Sequence, residues 1–236
     1  MTSPADQAPY VRAMFTRIAG RYDLMNALMT GGRHHAWRRI TARAVGGAPP
    51  GPALDLATGT ADLALALRRD SPGRTVIGAD FSEGMLGQAR GKLAARGERR
   101  VLLIGADALA LPFPDRTFAC VTSAFLLRNL ADLEAGLGEM RRVTVTGGRV
   151  AALEIVQPSL PGWATLFGVY FHRVVPALGA VVAGDRAAYT YLPRSVERFV
   201  TPAALARLME RSGLGDVTYR RLGLGTIALH AGVVRR

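Results

Sequence analysis

The chain has almost no cysteine. Among its 236 residues only Cys120 is a cysteine, and it lies within an apolar run. A single cysteine excludes a disulfide framework and predicts a reducing compartment, so we expect a cytoplasmic location. The apolar surroundings predict that Cys120 is a small buried side chain and not a reactive thiol.

Lysine is equally scarce, although the chain is strongly basic. The 30 basic residues oppose 18 acidic ones, the net charge is +12, and Lys92 is the only lysine. The arginines are scattered, and no basic block alternates with aromatic residues, so we expect no nucleic-acid partner. The positive charge does favour peripheral contact with an anionic membrane, at the inner face for a cytoplasmic protein.

Long uninterrupted apolar runs and clusters of metal ligands are also missing. The most apolar stretch is 163–183, and it contains His172, Arg173 and Pro176. These residues argue against a transmembrane helix. The only histidines close together are His34 and His35, and adjacent residues on a helix point in different directions. We therefore expect no metal site.

A short apolar run that turns into a helix is the most informative stretch present. Residues 53–56 have the length of a buried parallel strand, small residues follow over 57–61, and an apolar-periodic helix begins near Leu63. Such a turn brings backbone N–H groups and a helix N-terminus close to a ligand. Asp55 lies inside the run, where a carboxylate is costly unless it accepts hydrogen bonds. Hydrogen bonds from the turn that follows would satisfy this carboxylate.

A second apolar run, 75–79, leads directly into Asp80. Asp80 follows Asp55 by 25 residues. This interval is close to the roughly 20 residues that separate a cofactor-binding turn from the acidic residue on the ribose hydroxyls. Ser82 suits the N-cap of the next helix better than Asp80 does, so we expect Asp80 to bind a ribose.

Strands and helices alternate through the middle of the chain, which predicts an α/β fold. We expect a Rossmann-like, seven-stranded, mostly parallel sheet with helices on both faces and an antiparallel last strand. The single domain 1–236 would comprise a helical cap (1–50), a cofactor-binding core (51–156), a helical lid insertion (157–200), and a C-terminal helix with a strand pair (201–236). Polar residues should converge at the carboxyl edge of the sheet, namely Thr60, Asp80, Asp107, Ser123 and Arg128.

Several motifs resemble those of one enzyme family. The most specific are Arg21-Tyr22-Asp23-Leu24-Met25-Asn26 and Leu127-Arg128-Asn129, and they are joined by Asp80-Phe81-Ser82-Glu83-Gly84-Met85-Leu86. On these motifs the chain resembles the ubiquinone/menaquinone biosynthesis C-methyltransferases, within the class I S-adenosylmethionine-dependent methyltransferases. The residues of the third motif resemble those of demethylmenaquinone methyltransferases more than those of the other members. The resemblance extends from about Val11 to Gly232.

The resemblance implies S-adenosylmethionine as cofactor, S-adenosylhomocysteine as product, and no metal. It implies that Asp80 holds the ribose, that Asp107 and the backbone of Ala108 address the adenine, and that Thr60 lies near the amino-acid end. The full set of expected cofactor contacts is Tyr22, Asp55, Ala57, Gly59, Thr60, Asp80, Phe81, Asp107, Ala108 and Ser123.

Three positions depart from the family pattern. Ala61 and Leu126 replace glycines, and Ala124 stands where the family has a serine. Ser123 is one residue away and would point to the other face if the strand continues.

The implied reaction is C-methylation of a polyprenylated quinol ring. Arg128 and Asn129 would position a water or steady a phenolate, and Tyr22 would close the cap over the cofactor. Structural alternatives are a surface ion pair for Arg128 and a helix N-cap for Asn129. His172 and Tyr189 are the expected substrate contacts, although a lone histidine in an apolar segment is more often structural.

Two other functions fit the sequence. One is a methyltransferase of a soluble aromatic or other small metabolite, which the three departures allow. The other is a cofactor-binding scaffold without catalysis. The partners expected for the main interpretation are a lipophilic quinol, an anionic membrane surface and, by analogy, a second copy of the chain.

Overall fold

Seven strands form one sheet at the centre of the molecule. The computed structural model describes residues 4–235, with side chains from Gln7 onward, so the first three residues of the predicted cap and Arg236 lie outside this range. The strands are β1 (Ala53–Leu56), β2 (Val76–Asp80), β3 (Val101–Gly105), β4 (Phe118–Ala124), β5 (Thr144–Ile155), β6 (Leu214–Leu222) and β7 (Ile227–Val234).

The strand order is β3-β2-β1-β4-β5-β7-β6. Strands β1 to β5 are parallel, and β7 runs antiparallel to both of its neighbours. This arrangement confirms the predicted Rossmann-like sheet with an antiparallel last strand. The order reverses at β1 and β4, which is where parallel sheets of this kind bind ligands.

Helices surround the sheet and also form two additions to it. Before β1 come α1 (Pro4–Ile18), α2 (Tyr22–Thr30) and α3 (Arg33–Ala44). The helices that alternate with strands are α4 (Asp62–Asp70), α5 (Glu83–Ala95), α6 (Leu133–Arg142) and α10 (Pro202–Arg211). Between β5 and α10 lie α7 (Pro161–Val169), α8 (Val175–Leu178) and α9 (Arg186–Arg198).

Helices α7 and α8 belong to one continuous helix. Two π-helical stretches, Tyr170–Val174 and Gly179–Ala183, join them into a helix from Pro161 to Ala183. This helix has 23 residues and a mean hydropathy of 1.6, which makes it long and apolar enough to cross a membrane by length and composition alone. In this fold its inner side packs in an apolar cluster with residues of α1, α2 and α9.

The turn after β1 is held by the buried carboxylate of Asp55, as predicted. The hydroxyl of Thr58 donates to Asp55 Oδ2 at 2.7 Å, and the hydroxyl of Thr122 on β4 donates to Oδ1 at 3.2 Å. The turn itself uses left-handed backbone at two alanines, Ala57 (φ 55°) and Ala61 (φ 68°). The family's glycine at the position of Ala61 therefore has a backbone reason, because a side chain there costs about 1–2 kcal/mol.

The continuous helix 161–183 meets α9 at Gly179. A Cβ placed on Gly179 would lie 2.6 Å from Cβ of Tyr189 and would overlap its ring. Gly168, in the same helix, has no atom within 4 Å of an added Cβ. Close packing at Gly179 thus fixes the position of Tyr189 against this helix.

Gly179→Ala should lower the free energy of unfolding by about 1–3 kcal/mol, because the methyl group overpacks against Tyr189. Gly168→Ala is the matched control and should raise it by about 0.5–1 kcal/mol, since alanine favours a helix and has room there. Urea denaturation of both variants measures the two changes. Equal stabilisation by both substitutions would contradict this packing.

Asp55→Asn tests the cost of the buried carboxylate. Burial raises the pKa of Asp55 to about 7, so the folded chain binds its proton more tightly than the unfolded chain does. The native free energy of unfolding should then fall relative to the variant between about pH 4 and pH 7, by up to about 4 kcal/mol. Denaturant titrations of both chains across this range check it, and a constant difference between them would refute the assignment.

Candidate active site

Two adjoining cavities lie at the carboxyl edge of the sheet. The strand-end cavity is lined by residues that follow the parallel strands, among them Ala57, Asp80, Asp107 and Ala124. The aromatic cavity lies between this edge and the helices α1, α2, α9 and 161–183. Three aromatic residues line both cavities and form a partition between them: Phe15, Tyr22 and Phe125.

Asp80 supplies the main polar group of the strand-end cavity. Its Oδ2 accepts from the backbone N–H of Gly59 at 2.8 Å, and its Oδ1 accepts from the N–H of Ser82 at 2.9 Å. A carboxylate offers about four lone-pair sites, so two remain for a ligand. Ser82 caps α5 by accepting from the N–H of Met85, as expected. Burial raises the pKa of Asp80.

The remaining lining of this cavity suits a nucleoside. Asp107 Oδ1 accepts from the N–H of Leu109 at 2.9 Å, and the walls nearby are apolar, formed by Phe81, Ala108, Leu109 and Leu130. One carboxylate at the end of β2 matches ribose hydroxyls, and flat apolar walls beside a second carboxylate match an adenine. These residues therefore fit S-adenosylmethionine.

Seven of the ten residues expected to contact the cofactor line this cavity: Tyr22, Ala57, Gly59, Asp80, Phe81, Asp107 and Ala108. The other three, Asp55, Thr60 and Ser123, lie outside its lining. Asp55 holds the turn below the cavity and is 1% exposed. Its contribution to a cofactor site is the position of the turn.

Thr60 faces the helical cap. Its hydroxyl donates to Asp23 Oδ1 on α2 at 2.6 Å and accepts from Lys92 Nζ on α5 at 2.9 Å. Lys92 also contacts Asp23 Oδ2 at 2.5 Å and Asp62 Oδ1 at 2.7 Å. The only lysine of the chain thus ties the cap to the turn that follows β1.

Ser123 points away from the cavity because β4 continues through Ala124. Successive residues of a strand face opposite sides, so Ala124 lines the cavity and Ser123 does not. The hydroxyl of Ser123 is buried and has no hydrogen-bond partner among residues 4–235.

The Leu-Arg-Asn motif builds the partition between the cavities. Phe125 has a left-handed backbone (φ 65°), which is rare for a bulky residue. Its carbonyl accepts from Arg128 Nη1 at 2.6 Å and from Asn129 Nδ2 at 3.1 Å. Both side chains of the motif therefore fold back and hold Phe125 in this conformation.

The structure contradicts both structural alternatives for this motif. Arg128 forms a buried ion pair, not a surface one: Nη1 lies 3.0 Å from Glu154 Oε2, and the two side chains are 5% and 0% exposed. Burial raises the pKa of Glu154, and the neighbouring Arg128 opposes that shift. The N-cap of α6 is Asp132, not Asn129. The amide oxygen of Asn129 accepts from the hydroxyl of Tyr191 at 3.1 Å.

Three residues that line the aromatic cavity each carry a hydrogen-bond donor without a partner. The volume of this cavity is about 130 Å³ and most of its lining is apolar. Three buried polar atoms of its lining residues have no hydrogen-bond partner among the described residues: Asn26 Nδ2, Arg128 Nε and the hydroxyl of Tyr189. Unpaired buried donors are costly unless a ligand or water satisfies them.

Of the two expected substrate contacts, Tyr189 lines the aromatic cavity and His172 does not. His172 Nε2 lies 3.0 Å from Glu197 Oε1, and both side chains are largely exposed. This matches the structural role that a lone histidine in an apolar segment more often has.

His34 is a lining residue that the sequence did not single out as a site residue. The hydroxyl of Thr30 donates to the carbonyl of Asn26 at 2.7 Å, and its oxygen also lies within hydrogen-bond distance of His34 Nδ1, at 2.9 Å. Burial and the charge of Arg38 lower the pKa of His34 to about 4, which leaves the ring neutral at physiological pH.

The rings of His34 and His35 lie closer together than the sequence argument expected. Their centroids are 3.9 Å apart, and donor atoms of both rings and of Asp62 lie within 4.8 Å of one another. The premise that the two side chains diverge is thus wrong. The same carboxylate of Asp62 already binds Lys92, however, and that positive charge opposes a cation at this place.

Comparisons with known proteins identify the family of the chain. The ubiE/COQ5 methyltransferase family model matches residues 1–234. A demethylmenaquinone methyltransferase of Thermus thermophilus is 48% identical over 219 residues, which are 93% of this chain and 99% of that protein. A demethylmenaquinone methyltransferase of Roseiflexus castenholzii is 44% identical over 234 residues, 98% of this chain and 96% of that protein.

The fold has solved counterparts as well. An S-adenosylmethionine-dependent methyltransferase from Aquifex aeolicus superposes with a TM-score of 0.63 at 17% identity, covering 90% of this chain and 98% of that one. At this identity the likeness concerns the fold alone. The family assignment depends instead on the match over nearly the whole length and on relatives above 40% identity: the chain belongs to the ubiE/COQ5 methyltransferase family.

Proposed function

We propose that this chain methylates a ring carbon of a polyprenylated quinol, with demethylmenaquinol as the substrate and menaquinol as the product. S-adenosylmethionine, when bound, supplies an electrophilic methyl group on a sulfonium sulfur. The naphthoquinol is preferred to a benzoquinol because the relatives at 44% and 48% identity are named demethylmenaquinone methyltransferases.

The observation that carries the proposal is the set of unpartnered donors in the aromatic cavity. Arg128 Nε, the Tyr189 hydroxyl and Asn26 Nδ2 need acceptors, while the walls around them are apolar and aromatic. A quinol is a flat apolar ring with oxygen atoms on opposite sides. Its ring matches the walls and its oxygens match the donors.

The partition defines where the two reactants meet. Phe15, Tyr22 and Phe125 line both cavities, so a ring in one cavity and a nucleoside in the other approach each other only across these side chains. Tyr22 and Phe15 meet edge to face with centroids 6.2 Å apart. Holding both reactants in line supplies a large part of the rate of a methyl transfer.

Arg128 would act on the quinol hydroxyl. A phenolate ring is a stronger carbon nucleophile than a phenol, so removal of the hydroxyl proton favours attack. Nε of Arg128 would stabilise the phenolate by a charge-assisted hydrogen bond, since Glu154 fixes the guanidinium. The ring of His34 also lines the cavity, but its lowered pKa makes it a weak acceptor for that proton.

The remaining roles follow from the contacts. Asp80 would bind the ribose, and Asp107 with Ala108 the adenine, with Tyr22, Ala57, Gly59 and Phe81 completing the cofactor site. Asn129 is a positioning residue, because its amide holds the Phe125 carbonyl and the Tyr191 hydroxyl. Asp55, Thr60 and Ser123 would act through the turn and the strand, and His172 lies outside the cavity.

The proposed setting is the cytoplasm, at the inner face of the membrane where a prenylated quinol resides. The aromatic cavity is walled by the helix 161–183, whose outer side is apolar and exposed. A homodimer stays a prediction, as does the division of the chain into cap, core, lid and C-terminal pair.

The decisive assay supplies labelled S-adenosylmethionine and one of two reduced acceptors in detergent, a prenylated naphthoquinol or a prenylated benzoquinol. We expect label in the naphthoquinol, with a weaker signal from the benzoquinol. Label in neither, while calorimetry detects cofactor binding, would refute the proposal and favour a soluble aromatic acceptor or a scaffold role.

Tyr189→Phe should raise KM for the quinol about fivefold and should not lower stability, because its buried hydroxyl has no partner until the substrate binds. Tyr170→Phe is the matched control from the same cavity. Its hydroxyl donates to the carbonyl of Met29 at 2.9 Å, so this variant should lose about 1 kcal/mol of stability and keep its KM. Kinetics and thermal denaturation of both variants test these opposite effects. If the two variants change KM and stability in the same way, the prediction is contradicted.

A further inference from the structure

A groove on the far side of α9 carries four arginines. Its volume is about 920 Å³, and it runs between α9, the start of α1 and the segment 127–133. We call it the arginine groove, after its lining residues Arg128, Arg186, Arg194 and Arg198. Arg186, Arg194 and Arg198 are exposed, and their guanidinium groups form no hydrogen bond or ion pair within the part of the chain described from Gln7 to Arg235.

Arg128 is already paired with Glu154, but no carboxylate of the described structure neutralises the three exposed arginines of the groove. The residues that line the groove include no aspartate or glutamate. The acidic residues nearest in sequence are engaged elsewhere: Asp185 pairs with Arg17, Glu197 pairs with His172, and Asp132 caps α6. The groove is therefore a concentrated positive site that attracts an anion.

The arginine groove adjoins the aromatic cavity. Arg128 and Tyr191 line both. On the opposite side of the same helix, Ala188, Tyr189 and Leu192 line the aromatic cavity. Helix α9 therefore separates a basic groove from the cavity that would hold the quinol ring, and an anion in the groove would lie one helix away from the substrate.

An exposed apolar surface lies next to α9. Helix α8 and the π-helical stretch Gly179–Ala183 pack against α9, and the helix 161–183 exposes Leu166, Val169, Val174 and Val181. Val181 is 86% exposed. Exposed apolar side chains beside arginines are typical of surfaces that lie in the interface of an anionic bilayer.

We propose that the arginine groove binds the phosphate of an anionic phospholipid headgroup and thereby seats the aromatic cavity at the membrane surface; the choice of a lipid rests on the proposed function, in which the substrate resides in the membrane. Guanidinium groups bind phosphate oxygens in bidentate pairs, which suits a groove made of arginine. The apolar side chains of the helix 161–183 would contact the acyl region.

The test is binding of the full chain to phosphatidylcholine vesicles with and without phosphatidylglycerol, at low and at physiological salt. The native chain should bind the anionic vesicles and lose affinity as salt rises. Arg194→Gln with Arg198→Gln should weaken binding about 20- to 30-fold, since each arginine at an anionic surface contributes about fivefold.

Arg96→Gln with Arg99→Gln is the matched control. These two exposed arginines follow α5 and precede β3, so they lie at the opposite edge of the sheet. The control removes the same charge and should change vesicle binding less than threefold. Equal loss in both double variants would overturn the groove as a specific site, as would absence of native binding to anionic vesicles at low salt.

Three further measurements separate the possible ligands and the two proposals. Calorimetry with inorganic phosphate that gives binding as tight as that of the vesicles would overturn the lipid assignment in favour of a free phosphate. A short RNA that displaces the vesicles at physiological salt would overturn it as well.

Methyl transfer to a detergent-dispersed quinol should be the same for the native chain and the groove variant. If that activity is absent from both while vesicle binding depends on Arg194 and Arg198, the groove stands and the quinol proposal fails.

Discussion

The buried ion pair between Arg128 and Glu154 is the interaction on which the candidate site depends. Glu154 belongs to β5, and its second oxygen accepts from the N–H of Leu127 at 2.6 Å. One fully buried carboxylate therefore fixes both the guanidinium and the turn after β4. Removing either partner would leave an uncompensated charge, at a cost of about 3–5 kcal/mol. From this pair follow the conformation of Phe125 and the partition between the cavities.

A second set of charges couples the cap to the sheet. Asp23 of α2, Thr60 of the turn after β1 and Lys92 of α5 meet at one point. Because the turn lines the strand-end cavity and α2 carries Tyr22, movement of the cap changes both the cofactor site and the partition. The first interaction joins β5 to the turn after β4, and the second joins α2 and α5 to the turn after β1.

Much of the fold and part of the site follow from the sequence. Two apolar runs predict β1 and β2 correctly, because strand length is a local property of the chain. The polar residues within or after these runs likewise predict the role of Asp55 and the placement of Asp80. Ser123, which is one of the expected cofactor contacts, faces away from the cavity and is buried, as strand alternation requires once β4 continues through Ala124. These residues depend on the chain near them, so a single sequence is enough.

The residues that the sequence misplaced depend on distant partners. Thr60 faces Asp23 and Lys92, which lie 37 and 32 residues away. His172 faces Glu197 across the lid, and His34 reaches the aromatic cavity only because α3 packs beside α2. A local sequence pattern does not predict contacts between residues so far apart in the chain. Histidine in an amphipathic helix is a signal worth following when the helix precedes a ligand-binding core.

The scarcity of lysine acquires a meaning from the position of Lys92. Its amine is the only one carried by a side chain, and it is 17% exposed where the cap meets the turn after β1. An amine-specific acylating reagent therefore has one side-chain target in the whole molecule. The rate at which such a reagent modifies Lys92 would measure how accessible its amine is at the contact between α2 and the turn after β1.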